Sequence, residues 1–266
     1  DDRQAAVFGG SFWQYEFNTL KCQTDPDCRV RVNCHAVPGM WQYEALAFKP
    51  GLVMRWYRDA FCQEEARRAR ELGTDPYQLM NDEAAKIPAG SYGMMCAFSD
   101  VMNYISWRHA SPTFTNFDFD PAKFNKFTFY RAIMENTAMI TKSHLELVRE
   151  ATGNAPEEIV FAGGASKGDI WCQIVADVLG LPVRVPVVKE ATALGAAILA
   201  GYGVHLYKDI SETARRLVQW DKTFVPNMEN HRVYEAMYAP WRRMYAAQLQ
   251  LADQRVTRFL WAAPGL

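Results

Sequence analysis

The segment that most limits how this chain can fold is Ile159-Val160-Phe161-Ala162-Gly163-Gly164-Ala165-Ser166-Lys167-Gly168, where a short apolar run empties into a turn of tiny residues. The apolar run reads as a buried strand. The residues beyond the turn read as a helix running to about Leu179 and capped by Gly180. A glycine turn in that position has two physical consequences. No Cβ stands between the main chain and a ligand, and the free N–H groups of the helix start favour an anion or a polar group. Two well-known phosphate loops are excluded. The Gly-Lys-Ser/Thr ending of a P-loop is missing, and the third glycine of a dinucleotide fingerprint is misplaced. Taken alone, a glycine pair ahead of a helix is more often a tight turn than a binding site.

The flanking sequence extends the pattern. Phe127, Tyr130, Met134, Thr137, Thr141, Leu145 and Val148 recur at helical steps, and Gly153 with Pro156 ends that helix. Val183 to Val187 reads as a strand whose proline suits an edge or a strand end. Ala191 to Ala200 reads as a third helix. Its Gly195, Ala196 and Ala197 leave one face almost bare, which predicts close packing on a neighbour. Asp169 and Asp177 on the preceding helix read as surface or capping residues.

Upstream, residues 5 to 48 read as an antiparallel strand group, with Gly9-Gly10-Ser11 as a turn between two strands. Consecutive glycines let main-chain N–H groups point into one concavity that holds phosphate; a plain hairpin turn is the simpler account. Leu52 to Leu72 reads as one helix stopped by Gly73, and residues 74 to 125, rich in aromatics and turns, carry no assignable elements. The order of elements predicts an α/β domain with a mixed sheet, without internal repeats.

Composition narrows the function classes. Charge is balanced, 29 basic against 30 acidic residues, which gives no electrostatic reason to expect nucleic acid or an anionic membrane. Arg67-Arg68-Ala69-Arg70 and Arg215-Arg216 read as solvated helix faces. No stretch approaches the ~20 apolar residues of a membrane span, and Asp1-Asp2-Arg3-Gln4 does not open a secretory signal. Cys22, Cys28 and Cys34 recur every six residues beside His35, yet zinc ligands usually sit two to four apart. Reduced thiols in a cytoplasmic protein are the expectation. The five histidines fall in unrelated contexts.

From Gly163 to Val183 the sequence resembles the signature of FGGY-family carbohydrate kinases: a glycine turn, a Trp-x-Gln helix, Ala-Asp-Val-Leu-Gly, then a Pro-Val strand. Glu190 to Ala200 is similar to the family's Gly-Ala-Ala helix, Arg131-Ala132 with Glu135 to its Arg-Ala-x-x-Glu helix, and Gly9-Gly10-Ser11 to its Gly-Thr-Ser phosphate turn. The resemblance implies an actin-like, ribonuclease-H-like α/β fold with ATP between two lobes. Residues 1–266 would form the C-terminal lobe, with the N-terminal lobe outside this chain. By the same resemblance Gly163, Gly164 and Ala165 would flank the adenine, and Gly9, Gly10 and Ser11 would face the phosphates, which Mg²⁺ would bridge. Gly9 to Gln14 and the aromatic run Asp100 to Phe119 look most like the branch that phosphorylates autoinducer-2, a small linear dihydroxypentanedione, with the phosphocarrier protein HPr as an implied partner. A kinase for xylulose or ribulose is the rival within the family, and a non-catalytic nucleotide-binding module the rival outside it. Two departures stand out: Gly10 replaces the usual threonine, and the family's upstream Gly-x-x-Asp base has no counterpart in Asp1 or Asp2. No catalytic base is assigned in this chain.

Overall fold

The computed structural model describes residues 1–264. Alternating burial makes strands of Ala5–Gly9 (β1) and Trp13–Thr19 (β2), which pair antiparallel from Ala5↔Phe17 to Gly9↔Trp13. Trp41–Ala47 (β4) adds to β2 and Arg31–Cys34 (β3) to β4, so residues 5 to 48 form the antiparallel group expected. On the other side of β1, Ile159–Ala162 (β8) pairs in parallel, followed by Val183–Pro186 (β9) in parallel and Trp220–Phe224 (β10) antiparallel. One seven-stranded mixed sheet results, with order β10-β9-β8-β1-β2-β4-β3. Pro186 lies at the end of β9, where a missing N–H costs little.

Lys126–Thr152 (α4) and Asp169–Leu179 (α5) pack together against the face formed by Trp13, Tyr15, Phe17 and Phe161, all fully buried. Two tryptophans join the layers. Trp13 and Trp171 stack with centroids 5.3 Å apart, and their indole N–H groups donate to Thr141 Oγ1 at 2.8 Å and Thr137 Oγ1 at 2.7 Å. A buried indole N–H is costly without an acceptor; a hydroxyl one helical turn from its neighbour supplies one to each ring. α4 exceeds the amphipathic stripe expected of it. Ile133, Met134, Ala138, Met139 and Ile140 are all buried, because Met228–Asp253 (α8) brings Tyr234 and Trp241 into the same core.

The single helix expected over 52 to 72 is two, Pro50–Phe61 (α1) and Gln63–Leu72 (α2), broken at Cys62. The break falls where the apolar stripe runs out: α1 buries Val53, Met54 and Tyr57, whereas α2 buries only Glu65 and Ala69. Pro76–Ala84 (α3) follows, capped by the Asp75 carboxylate, which accepts the Tyr77 N–H at 2.9 Å. The rest of the unassigned region forms two small ribbons. Met95–Ala97 (β5) pairs with Thr113–Thr115 (β7), and Arg108–Ala110 (β6) pairs with Phe259–Ala262 (β11).

Between α3 and β5, Gly90, Ser91, Tyr92 and Gly93 all take positive φ, of 78°, 49°, 59° and 88°. Such a turn persists only where its surroundings over-determine it. Here Glu135 does so, accepting from Gly90 N at 3.0 Å, Ser91 Oγ at 2.7 Å, Arg131 Nε at 2.9 Å and the Tyr234 hydroxyl at 2.9 Å. The Arg-Ala-x-x-Glu motif is therefore a buried, fully bonded ion pair that ties three elements together.

Ala191–Gly203 (α6) and Ile210–Leu217 (α7) stand over the opposite sheet face, around a cleft that includes Asn18, Arg184, Ile198 and Ala214. The close packing expected of Gly195, Ala196 and Ala197 does not occur within the described residues. Ala196 and Ala197 are exposed, and a Cβ built on Gly195 would meet nothing within 4 Å. The glycine of α6 that does permit close approach is Gly201, where a Cβ would lie 2.5 Å from the Tyr207 ring. Asp177 also departs from the surface role expected of it. It is buried and accepts from Gln173 Nε2, Asn227 N and Asn230 Nδ2 at 2.7 to 2.8 Å, fixing α5 to the start of α8.

Candidate functional site: a cleft between two glycine turns

The two turns singled out in the sequence meet in space. β1 and β8 run in parallel, so the Gly9-Gly10-Ser11 and Gly163-Gly164-Ala165 turns leave the same edge of the sheet side by side. They touch with no side chain larger than the Ala165 methyl between them. A Cβ on Gly163 would lie 2.7 Å from the Gly9 carbonyl oxygen, and one on Gly9 would lie 2.6 Å from Ala165 Cβ. Gly163 has φ 88° and ψ −178°, a region open essentially to glycine alone. Its N–H donates to the Lys189 carbonyl at 2.8 Å, which fixes the turn to the chain beyond β9. A third glycine, which the sequence reading did not single out, closes the arrangement. Gly51, in the first turn of α1, abuts the Gly10 carbonyl so closely that a Cβ there would lie 2.0 Å from the oxygen. The available signal was Pro50-Gly51 itself, since glycine inside a helix costs about 1 kcal/mol and calls for a packing reason.

The ridge where the turns meet is shared by two chambers. The larger, of about 370 Å³, is walled by Arg55 and Arg58 of α1 and by Asp75, Tyr77 and Asn81 of α3, with Tyr130 and Trp171 among its lining. The smaller, of about 300 Å³, is lined by Phe8, Phe12 and Gln14 on one side and Lys189, Glu190 and Thr192 on the other. All six expected residues Gly9, Gly10, Ser11, Gly163, Gly164 and Ala165 lie on this ridge or against it. One expectation narrows. The Gly10 N–H donates to the Phe12 carbonyl at 2.9 Å and so closes the hairpin; the exposed Ser11 carries the turn's remaining polar reach.

The larger chamber has a definite electrostatic character. Arg55, Arg58 and Lys167 contribute three cationic side chains against the carboxylates of Asp75 in the lining and of Asp59, which pairs with Arg58. A cleft with such an excess draws anions. Arg58 is held by Asp59 at 2.6 Å and lies over the Tyr77 ring at 5.0 Å from its centroid. Burial pushes the Tyr130 hydroxyl well above the usual tyrosine range, so it stays protonated and donates to Asn81 Oδ1 at 2.9 Å. Behind the turn, burial also pushes the Cys172 thiol up to about 12, which makes it inert packing rather than a nucleophile.

No histidine lines either chamber. His109 is buried against Phe48, rings 4.8 Å apart, and burial lowers its pKa to about 3; His144 inside α4 is lowered to about 3 by the same cause. Both are neutral core residues. Asp169 is engaged at the surface by Lys222 at 2.7 Å. Among the described residues no group of three or more His, Cys, Asp or Glu is placed to hold a metal ion. Among the described residues no helix is long and apolar enough to cross a membrane.

Comparison with known proteins identifies the family and the fold. Residues 19–204 match the FGGY family of carbohydrate kinases, C-terminal domain. The chain is 51% identical over 263 residues to the autoinducer-2 kinase of Yersinia enterocolitica serotype O:8 / biotype 1B, covering 99% of this chain and 50% of that protein. It is 49% identical to the autoinducer-2 kinase of Klebsiella pneumoniae subsp. pneumoniae, covering 99% and 49% respectively. The chain thus spans about half the length of the curated relatives it matches. Among solved structures, a xylulose kinase from Rhodospirillum rubrum superposes with a TM-score of 0.77 at 23% identity, over 94% of this chain and 48% of that one. A gluconate kinase from Lactobacillus acidophilus gives 0.72 at 20% identity, over 93% and 48%. These two show a shared fold.

Proposed function

The chain belongs to the FGGY family of carbohydrate kinases, and from that premise we propose that it is the C-terminal, ATP-binding half of a kinase whose phosphoryl acceptor is autoinducer-2. The observation that carries this reading is the contact between the two glycine turns, which makes one small-residue ridge beside a cation-rich chamber. The base and ribose of ATP occupy the larger chamber, with Gly163, Gly164 and Ala165 against the adenine. The phosphates run along the ridge toward Gly9, Gly10 and Ser11. Because Gly10 has no hydroxyl, the Ser11 hydroxyl supplies the contact that a threonine makes elsewhere in the family.

Phosphoryl transfer asks little covalent chemistry of a protein. It asks for in-line positioning and for stabilisation of charge on the transferring group. This chain's part is the first: a ridge held rigid by Gly9, Gly51 and Gly163 fixes where the phosphates lie, and Arg55, Arg58 and Lys167 offset their charge. Among the described residues there is no protein cage for Mg²⁺, a metal that is commonly held through substrate phosphates. The general base and most acceptor contacts belong to the N-terminal half found in the longer relatives. The choice of autoinducer-2 over xylulose or ribulose rests on 51% identity to an autoinducer-2 kinase. HPr is proposed as a partner on the family resemblance alone, and cytoplasmic residence and a role in quorum sensing follow from the same reading.

The experiment is calorimetric titration with Mg-ATP, followed by phosphate-transfer assays with dihydroxypentanedione, xylulose and ribulose once the complementary half is supplied. Saturable ATP binding and turnover on dihydroxypentanedione are the expected result. Binding without turnover on any acceptor would leave a nucleotide-binding module; absence of binding by this chain that persists once the complementary half is supplied would overturn the assignment of the glycine turns to ATP.

A further inference from the structure

Among the polar groups that wall the larger chamber, Asn81 has an orientation fixed by a buried partner. Asn81 projects from α3 into the chamber, and its Oδ1 is taken by the buried Tyr130 hydroxyl at 2.9 Å. An amide with its oxygen committed turns its NH₂ the other way, and the hydrogen-bond network settles which end is which. That NH₂ lies against Gly168, the residue that closes the glycine turn: a Cβ built on Gly168 would stand 2.9 Å from Asn81 Nδ2. Gly168 has φ −92°, so its backbone would accept any residue; what the glycine provides there is room for the Asn81 amide. The Ala165 carbonyl lies on the same side, 3.6 Å from that Cβ position. The Asn81 amide donor thus stands beside the Ala165 carbonyl, which already accepts the Gly168 N–H at 3.1 Å, on a lining that includes Gly164 and Trp171.

We propose that Asn81 is a base-reading residue, donating from its NH₂ to a ring nitrogen of the adenine, and that Gly168 is small in order to leave that amide in place. The inference rests on the assignment of this chamber to the nucleotide. It adds a specificity determinant from α3, outside the glycine turns. Purine rings present acceptor nitrogens at their edges, and a single pinned donor selects a base that offers one at the matching place. Tyr130 is a positioning residue: it touches the Asn81 oxygen and leaves the base to the amide.

The test is a cycle between protein and ligand. ATP and its three monodeaza analogues, each with one ring nitrogen replaced by C–H, are titrated calorimetrically into the wild type and into Asn81→Ala. Loss of one hydrogen bond predicts about tenfold weaker ATP binding by Asn81→Ala. One analogue should bind the wild type about tenfold less well than ATP does, and that same analogue should lose nothing further in Asn81→Ala. Asn81→Asp, which keeps an acceptor for Tyr130 but cannot donate, should match or exceed the loss, with a melting temperature close to wild type. If all three analogues lose the same factor in both proteins, or if Asn81→Asp binds ATP as the wild type does, the assignment of Asn81 is overturned while the chamber's role stands. If wild type binds no ATP, the chamber reading fails and takes this inference with it.

Discussion

Two glycine-bearing stretches of this chain look alike on the page and behave in opposite ways. At the cleft, Gly51 and Gly163 each face another backbone, and Gly9 faces the Ala165, Phe161 and Trp13 side chains, at distances no added side chain could share. In α6, Gly195 faces open space and the adjacent alanines are exposed. In sequence, small residues on a helix predict a packing surface, and a glycine pair before a helix predicts a tight turn. The structure reverses the weight of the two readings. What decides the matter is the element standing opposite, which in the cleft comes from a distant strand and in α6 is missing among the described residues.

Substitutions to alanine put numbers on the contrast. Gly163→Ala should be the most damaging, since it adds a clash with the Gly9 backbone to a conformation that only glycine adopts readily. A loss of about 3 kcal/mol or more in denaturant unfolding is expected, and a loss below about 1 kcal/mol would mean the turns are not locked together. Gly51→Ala gains about 1 kcal/mol of helix propensity yet collides with the Gly10 carbonyl. Its net cost should be about 2 kcal/mol, read from the same unfolding curves. Gly195→Ala should move the other way, raising stability by about 0.5–1 kcal/mol; destabilisation there would reveal a neighbour that α6 packs on. Gly164→Asp should change stability least, because nothing lies within 4 Å of a Cβ at that position. Its effect should appear in calorimetry, where the added carboxylate on the ridge abolishes measurable Mg-ATP binding while the melting curve stays near wild type.

The same contrast marks how far the sequence could be read. The antiparallel group, the helix through Thr137 and Thr141, the strand–turn–helix at Gly163 and the third helix were legible because each carries a local period or a local stop signal. The break at Cys62 and the burial of Asp177 were not, since both depend on partners far along the chain: the core that ends α1, and the start of α8 that donates to the Asp177 carboxylate. In the cleft, the glycine turns were visible and their mutual contact was not. Asn81, Arg55 and Asp75 carry no signal at all until α1 and α3 fold against Trp171 and Tyr130. The region 74 to 125 resisted assignment for a similar reason, its short strands being stabilised by pairing with each other and with residues near 260.

The parallel pairing of β1 with β8 has a consequence for how the protein acquires its site. The Gly9 and Gly163 turns come from opposite ends of a long closed loop, and such pairings pay their entropy before they return any contact energy. No excised peptide holds the ridge, and a folding intermediate lacking the β1–β8 pair would hold none of it either. A nucleotide that binds only the finished ridge would draw the whole folding equilibrium toward the native state, by about 2.7 kcal/mol at a hundredfold excess over its dissociation constant. Nucleotide-induced thermal protection would then act as a readout of a single strand pairing, measured by a small molecule that touches neither strand's side chains.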